Sequence, residues 1–383
     1  VRLAAFTDRE SGRIDAASIR GYFGRAIVLW QLGRLTLCEQ TAADLLQLAR
    51  SNNLSISAGW GAMMLGHIAH ERGDFAQTTR HLEAVFADAE HVHFMCLRDA
   101  FFTQILEYHA QGFYDEADHA LARFQEHIMG TETRHHLDIV DSLNARTALI
   151  RGDLVSAQRW LEVSPPPLPG QTDLKTIEQP ILTRAKVLIS VGTQEALGEA
   201  DQSLAAFVNQ AQATHMTLAL LEGLAVQALL YEAQGDLKRA VRALRTSLTL
   251  AAPEGIVQRY AYLGPSLAPI LRRIIPGSSP APHALTVLEA LEQVLAAQPA
   301  LNRSSERITS EQDTTHSSLS EREQQVLRCL SRRLTNNEIG DELYISPITV
   351  KNHVAHITEK LGVSGRRAAV QRADELGLLT AGA

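Results

Sequence analysis

LSEREQQVLRCLSRRLTNNEIGDELYISPITVKNHVAHITEKLGVSGRRAAVQRADELGLL, residues 319–379, reads as four short helices. Ser320 with Glu323 and Thr335 with Glu338 form two capping boxes, in which hydroxyl and carboxylate each satisfy a backbone N–H that a helix start leaves unpaired. Ser346 followed by Pro347 gives a third start, because proline at the first helical position forfeits no hydrogen bond. Gly362 suits the left-handed residue that closes this helix, and Ser364 is placed to cap the fourth.

The third helix carries two different faces. Val350, Val354, Ile357 and Leu361 recur at helical spacing and form one apolar stripe for packing on the first two helices. Thr349, Asn352, Ala355 and His356 point away from that stripe, with Lys351 and His353 on its flanks. A helix of this size fits the major groove of B-DNA, where amides and cations bond base edges and phosphates.

These residues resemble the LuxR-type helix-turn-helix family. The matching positions include Leu319, Glu321, Glu323, Val326, Leu327, Leu334, Asn337, Glu338, Ile339, Leu343, Ile345, Ser346, Thr349, Val350, Lys351, His353, Val354, Ile357, Lys360, Leu361, Gly362, Val363 and Arg366, with no insertion. The resemblance implies that residues 346–361 enter the major groove of double-stranded DNA, with Lys351 and Asn352 as the main groove contacts and His356 beside them. By the same resemblance Thr335, Asn337, Ser346, Thr349 and Lys360 hold phosphates, Arg366 belongs to the DNA-binding set, and the last helix pairs two copies into a homodimer on DNA. Two departures stand out. Ala355 replaces a long polar side chain, and Gly340 replaces the usual alanine at a helix crossing, costing about 1 kcal/mol of helix stability.

Charge does not make the case for DNA. Residues 319–379 hold nine Lys/Arg against eight Asp/Glu, +1, so the rest of the 383-residue chain, −7 in total, carries −8. The argument rests on motif order. Three widely separated cysteines, Cys38, Cys96 and Cys329, indicate neither a disulfide framework nor a zinc site. No apolar run approaches the ~18 residues of a membrane helix, and the expected location is cytoplasmic.

Upstream, turn signals recur at Gly33, Gly73, Gly112, Gly152, Gly192 and Gly235, at intervals of 40, 39, 40, 40 and 43 residues. So steady a period predicts stacked helical hairpins. Leu221, Leu224, Ala225 and Ala228 mark the inner face of one helix, and Leu237, Ala240, Val241, Leu244 and Leu248 that of the next. Met64, Leu65, Ile68 and Ala69, followed by Ala76, Leu82 and Val85, repeat the scheme. One hairpin cannot bury its apolar face alone, so the stack is required for stability. The repeats are similar to tetratricopeptide hairpins, and with residues 255–271 (GIVQRYAYLGPSLAPIL) they resemble the superhelical region of MalT-like regulators.

The expected fold is all-α: a superhelical stack of TPR-like helical hairpins over 1–275, a helix plus flexible linker over 276–317, and a tethered four-helix LuxR-type domain over 318–383. Prolines exclude a helix at 165–169 and predict a loop. No phosphate loop, nucleophile elbow or dinucleotide fingerprint is present, so no enzyme activity, cofactor or catalytic residue is indicated. His91, His93, His109, His119, His127, His135 and His136 lack metal-ligand spacing and read as solvated helix faces. Trp30, Trp60, Phe94, Phe101, Phe102 and Tyr108 are candidates to line a concave surface, with core the commoner fate. The expected function is transcription regulation, with a small molecule or protein effector bound in the superhelix. Two alternatives stay open: the C-terminal part of a large MalT-type ATP-dependent activator, and an interaction scaffold with a terminal docking module.

Overall fold

A computed structural model describes residues 16–129, 137–164, 177–277, 280–298 and 321–336, then 338, 339, 350, 354, 357, 358, 361, 363, 365–376 and 378. The described residues are helical and contain no strand, and they divide into two compact units, Val1–Asn302 and Arg303–Ala383. No helix among them is long and apolar enough to cross a membrane.

The first unit is built from six hairpins: α1 (Ala16–Gln31) with α2 (Leu35–Ser51), α3 (Ser55–Glu71) with α4 (Phe75–Phe86), α5 (Phe94–Gln111) with α6 (Tyr114–Met129), α7 (Leu137–Arg151) with α8 (Leu154–Val163), α9 (Pro180–Val191) with α10 (Gln194–Ala213), and α11 (Thr217–Ala233) with α12 (Leu237–Ala251). The six glycines read from the sequence sit at the six hairpin turns, all at positive φ. At Gly73 (φ 80°) the chain closes α3 through Asp74 N–H to the Ala69 carbonyl, 2.9 Å. Asp74 then opens α4 by accepting from Gln77 N–H at 3.1 Å. Asp153, Asp236 and Thr193 cap in the same way.

The predicted inner faces are buried, with Leu221, Ala225, Ala228, Leu244 and Leu248 fully covered. Ala76 is a correction: it is exposed, and Phe75 and Thr78 turn inward in its place. Two of the described turns between hairpins take a left-handed residue that is not glycine. Asn53 (φ 53°) and His215 (φ 56°) take the left-handed position after α2 and α10.

After α12 the chain leaves the hairpin pattern. A 3-10 turn (Ala252–Glu254), α13 (Gln258–Ala261), α14 (Leu267–Ile274) and α15 (Ala281–Ala297) follow. They close the unit on itself. Val257 N–H donates to the Glu71 carbonyl at 2.7 Å, Thr36 donates to the Glu254 carboxylate at 2.8 and 2.9 Å, and Gln298 donates to the Ile150 carbonyl at 2.6 Å. Gly33 lies against Thr217, which brings the first hairpin to the sixth.

The second unit has its own core of Val326, Leu327, Cys329, Leu330, Ile339, Val350, Ile357, Leu361, Ala369 and Ala373, with Leu334, Val354, Val363, Val370 and Leu376 packed on it. Two of its helices are α16 (Glu321–Ser331) and α17 (Arg366–Glu375). Gly365 (φ 92°), and not Ser364, occupies the position preceding α17, which has no side-chain cap. The proline stretch at 165–169 and the tether at 302–318 lie outside the described residues, as does the Ser320 hydroxyl.

Candidate nucleic-acid interface and the buried polar cleft

In the second unit the capping box at Thr335 is formed. The Glu338 carboxylate accepts from Thr335 N–H and from its hydroxyl, both at 2.7 Å, while Glu338 N–H reaches Thr335 Oγ1 at 3.3 Å. These bonds hold the Glu338 carboxyl below the usual range. Three residues of the third-helix stripe, Val350, Ile357 and Leu361, are buried, and Val354 is half-buried against the same core. Val363 N–H returns to the Thr358 carbonyl at 2.9 Å, a bond of the kind that closes a helix; Gly362 lies outside the described residues.

Of the nine predicted DNA-contacting residues, Thr335 and Arg366 are described, and both are exposed. The Arg366 guanidinium donates to the Leu334 carbonyl, so it also ties the start of α17 to the turn before the capping box. Asn337, Ser346, Thr349, Lys351, Asn352, His356 and Lys360 lie outside the described residues, as do Gly340 and Ala355.

The first unit holds a feature that the sequence did not announce. Charged groups from five helices meet inside it. Arg146 pairs with Glu178 at 3.0 Å and reaches Glu222 at 3.9 Å; Lys186 pairs with Glu222 at 2.9 Å; Arg259 pairs with Glu222 at 3.1 Å and with Glu71 at 2.6 Å. Ser142 and Thr183 donate to Glu178 at 2.7 and 2.6 Å. Burial works to raise Glu222, but Lys186, Arg146 and Arg259 outweigh it and hold the carboxyl at about 2. Glu71 faces one close cation, and burial pushes it upward.

Two histidines line the same space. The Thr103 hydroxyl lies 3.2 Å from the Asp99 carbonyl and also meets His67 Nδ1, while His67 Nε2 has no hydrogen-bond partner. The Tyr262 hydroxyl donates to the Leu106 carbonyl at 3.0 Å and accepts from His70 Nε2 at 3.2 Å, leaving His70 Nδ1 bare. Burial, reinforced by neighbouring arginines, lowers both imidazoles to about 3, so they are neutral. His67 Nε2, His70 Nδ1, Glu71 Oε2, Arg146 Nε and Arg259 Nε have no hydrogen-bond partner. They surround a cavity of about 20 Å³ to which Trp30, Thr103 and Tyr262 also contribute. That is room for about one water.

Of the six aromatic candidates only Trp30 reaches this cavity; Phe101 and Phe102 pack with Phe86 and Phe124 in the core. His109 corrects the expectation of solvated histidines. It is buried, donates from Nδ1 to the Ile105 carbonyl at 2.7 Å and accepts from Arg151 at 2.9 Å. His91, His93 and His119 are exposed as expected, and His135 and His136 lie outside the described residues. No group of three or more potential metal ligands occurs among the described residues.

Comparison with known families matches residues 7–275 to the MalT-like TPR region and residues 317–373 to the luxR family of bacterial regulatory proteins. Among individual proteins, the chain is 27% identical over 288 residues to the HTH-type transcriptional regulator MalT of Yersinia pestis (strain Pestoides F) and to that of Yersinia pseudotuberculosis serotype O:1b (strain IP 31758). It is 26% identical to that of Yersinia enterocolitica serotype O:8 / biotype 1B (strain NCTC 13174 / 8081). Each alignment covers 70% of this chain and 30% of the relative, so the chain spans under a third of those proteins.

Proposed function

Because this chain belongs to the MalT-like TPR region family and ends in a luxR-family DNA-binding domain, we propose that it regulates transcription by reading the major groove with residues 346–361. The observation that supports this reading is the inward stripe of that helix, Val350, Val354, Ile357 and Leu361. A helix anchored along one face offers the opposite one to a partner. Lys351, Asn352 and His356 fall on or beside that opposite face by helical geometry, and a cation and an amide there bond base edges and phosphates. Thr335, Asn337, Ser346, Thr349, Lys360 and Arg366 hold the backbone. Two copies paired through α17 read a pseudo-palindromic site.

The repeat unit receives the signal, a small molecule or a partner protein, at its polar cleft. Support comes from the incomplete pairing of the buried groups there, which leaves donors and acceptors for a ligand.

The test of DNA reading is binding-site selection from sheared genomic DNA by the purified chain, followed by gel shifts on the selected site. Lys351→Ala is expected to weaken binding to all sequences, and Asn352→Ala to flatten discrimination at one base position by about 1–3 kcal/mol. Parent-like binding by both variants, or no enrichment of any fragment, would overturn the reading.

A further inference from the structure

We propose that residues 252–264 form a plug: a segment of this chain that fills the cleft of the repeat unit and opens from it as a separate piece, without unfolding of the hairpins. This deepens the reading of the cleft as the input site and rests on that reading for its biological meaning.

The first support is connectivity. The six hairpins are complete at Ala251, and the segment that follows breaks their pattern with one 3-10 turn and one single-turn helix. Glycines at positive φ lie near its two ends, Gly255 at 69° and Gly264 at 84°. Gly264 has no neighbour that a Cβ would meet. Such positions absorb backbone rotation with little steric cost.

The second support is the kind of contact the segment makes across the cleft. Its bonds to the early hairpins are polar: Val257 N–H to the Glu71 carbonyl, Arg259 to Glu71, and Tyr262 to His70 and the Leu106 carbonyl. Arg259 also reaches Glu222 on α11. Its anchors on the other side are Tyr260, whose hydroxyl meets Ser247 at 2.7 Å, and the Ile256 carbonyl, which accepts from His283 at 3.0 Å. The segment is therefore fixed to α12 and α15 and lies against the second and third hairpins.

The third support is imperfect fit. Five polar atoms around Arg259 and Tyr262 are buried without a partner. Each raises the free energy of the closed arrangement, and each regains solvent when the segment lifts. The segment also buries Ile256, Val257, Tyr260 and Leu263 in the core, yet lifting it exposes less surface than unfolding the hairpins does. Once lifted, the segment uncovers His67, His70, Glu71 and Glu222 and releases the link from α3 to the chain that runs into α14 and α15. A ligand that completes the bonding of those groups competes with the plug, and so pulls on the C-terminal helices of the unit.

The test is amide hydrogen exchange of the full chain at rising, sub-denaturing urea. Amides of residues 256–263 are expected to exchange through an opening with a shallower urea dependence than that of the whole unit, which those of α11 and α12 follow. Tyr262→Phe, which removes one hydroxyl and both its bonds, is expected to speed exchange of 256–263 about tenfold and leave α11 and α12 unchanged. Equal urea dependence of the two regions in the parent, or equal acceleration of both by Tyr262→Phe, would make the segment an ordinary part of the core. Failure of the DNA-binding variants would leave this exchange pattern untouched, and a cleft that opens yet takes no ligand would fault only the input reading.

Discussion

His67 and His70 show how a buried neutral base couples folding to pH. Both stand at about 3 in the folded chain against an ordinary 6.5, so the unfolded chain takes up their protons first. Their stabilisation is complete above 6.5 and is lost as pH falls toward 3. Glu107 has the opposite sign: burial raises it to about 7, so its contribution is complete below 4.5 and is lost as pH rises through 7. Between pH 4.5 and 6.5, His67→Gln is expected to flatten the pH slope of unfolding free energy, and Glu107→Gln to steepen it, each by about 1.4 kcal/mol per pH unit. Urea titrations at a series of pH values measure this, and unchanged slopes would show that these groups titrate normally. In the second unit, Thr335→Ala removes an N-cap and should cost about 1 kcal/mol. Arg333, at φ 65°, closes α16 in a conformation that costs a side-chain-bearing residue about 1–2 kcal/mol, so Arg333→Gly should recover part of that. Thermal melts of the full chain would read both changes.

At the level of elements, helix packing sorts the glycines by what surrounds them. Gly24 in α1 and Gly198 in α10 have no neighbour within 4 Å of a would-be Cβ, and alanine there should stabilise by up to about 1 kcal/mol. Gly61 in α3 is different, because a Cβ would stand 3.0 Å from the Ala42 carbonyl and the Leu46 nitrogen of α2. Gly61→Ala should lower the melting temperature, since two backbones must part. The six hairpins were legible because each closes on a glycine at a steady interval, and the third-helix stripe because its apolar spacing admits one face. Turns between hairpins were harder to read: Asn53 and His215 adopt left-handed backbone without the residue type that advertises it. The polar cleft was not legible at all. Tyr262 and His70 meet across 192 positions, and Arg146, Lys186 and Glu222 lie on three different helices, 36 or more positions apart, so no local pattern brings them together. Stacking of successive hairpins brings them together.

For the molecule as a whole, charge is distributed unevenly, with the DNA-binding stretch near neutral and the remainder at −8. Affinity for DNA should therefore come from a few phosphate contacts and fall linearly on a log–log salt plot, by about 0.9 per contact. A flat plot would contradict that. The closure of the repeat unit has a separate consequence. An open array of hairpins can fray from either tip, losing one repeat after another, because each touches only its neighbours. Here the first hairpin leans on the sixth, and α3 is bonded to the stretch beyond α12, so neither tip is a free end. Melting should be all-or-none, with calorimetric and van't Hoff enthalpies of the repeat unit in agreement, as expected of a globule and not of a zipper.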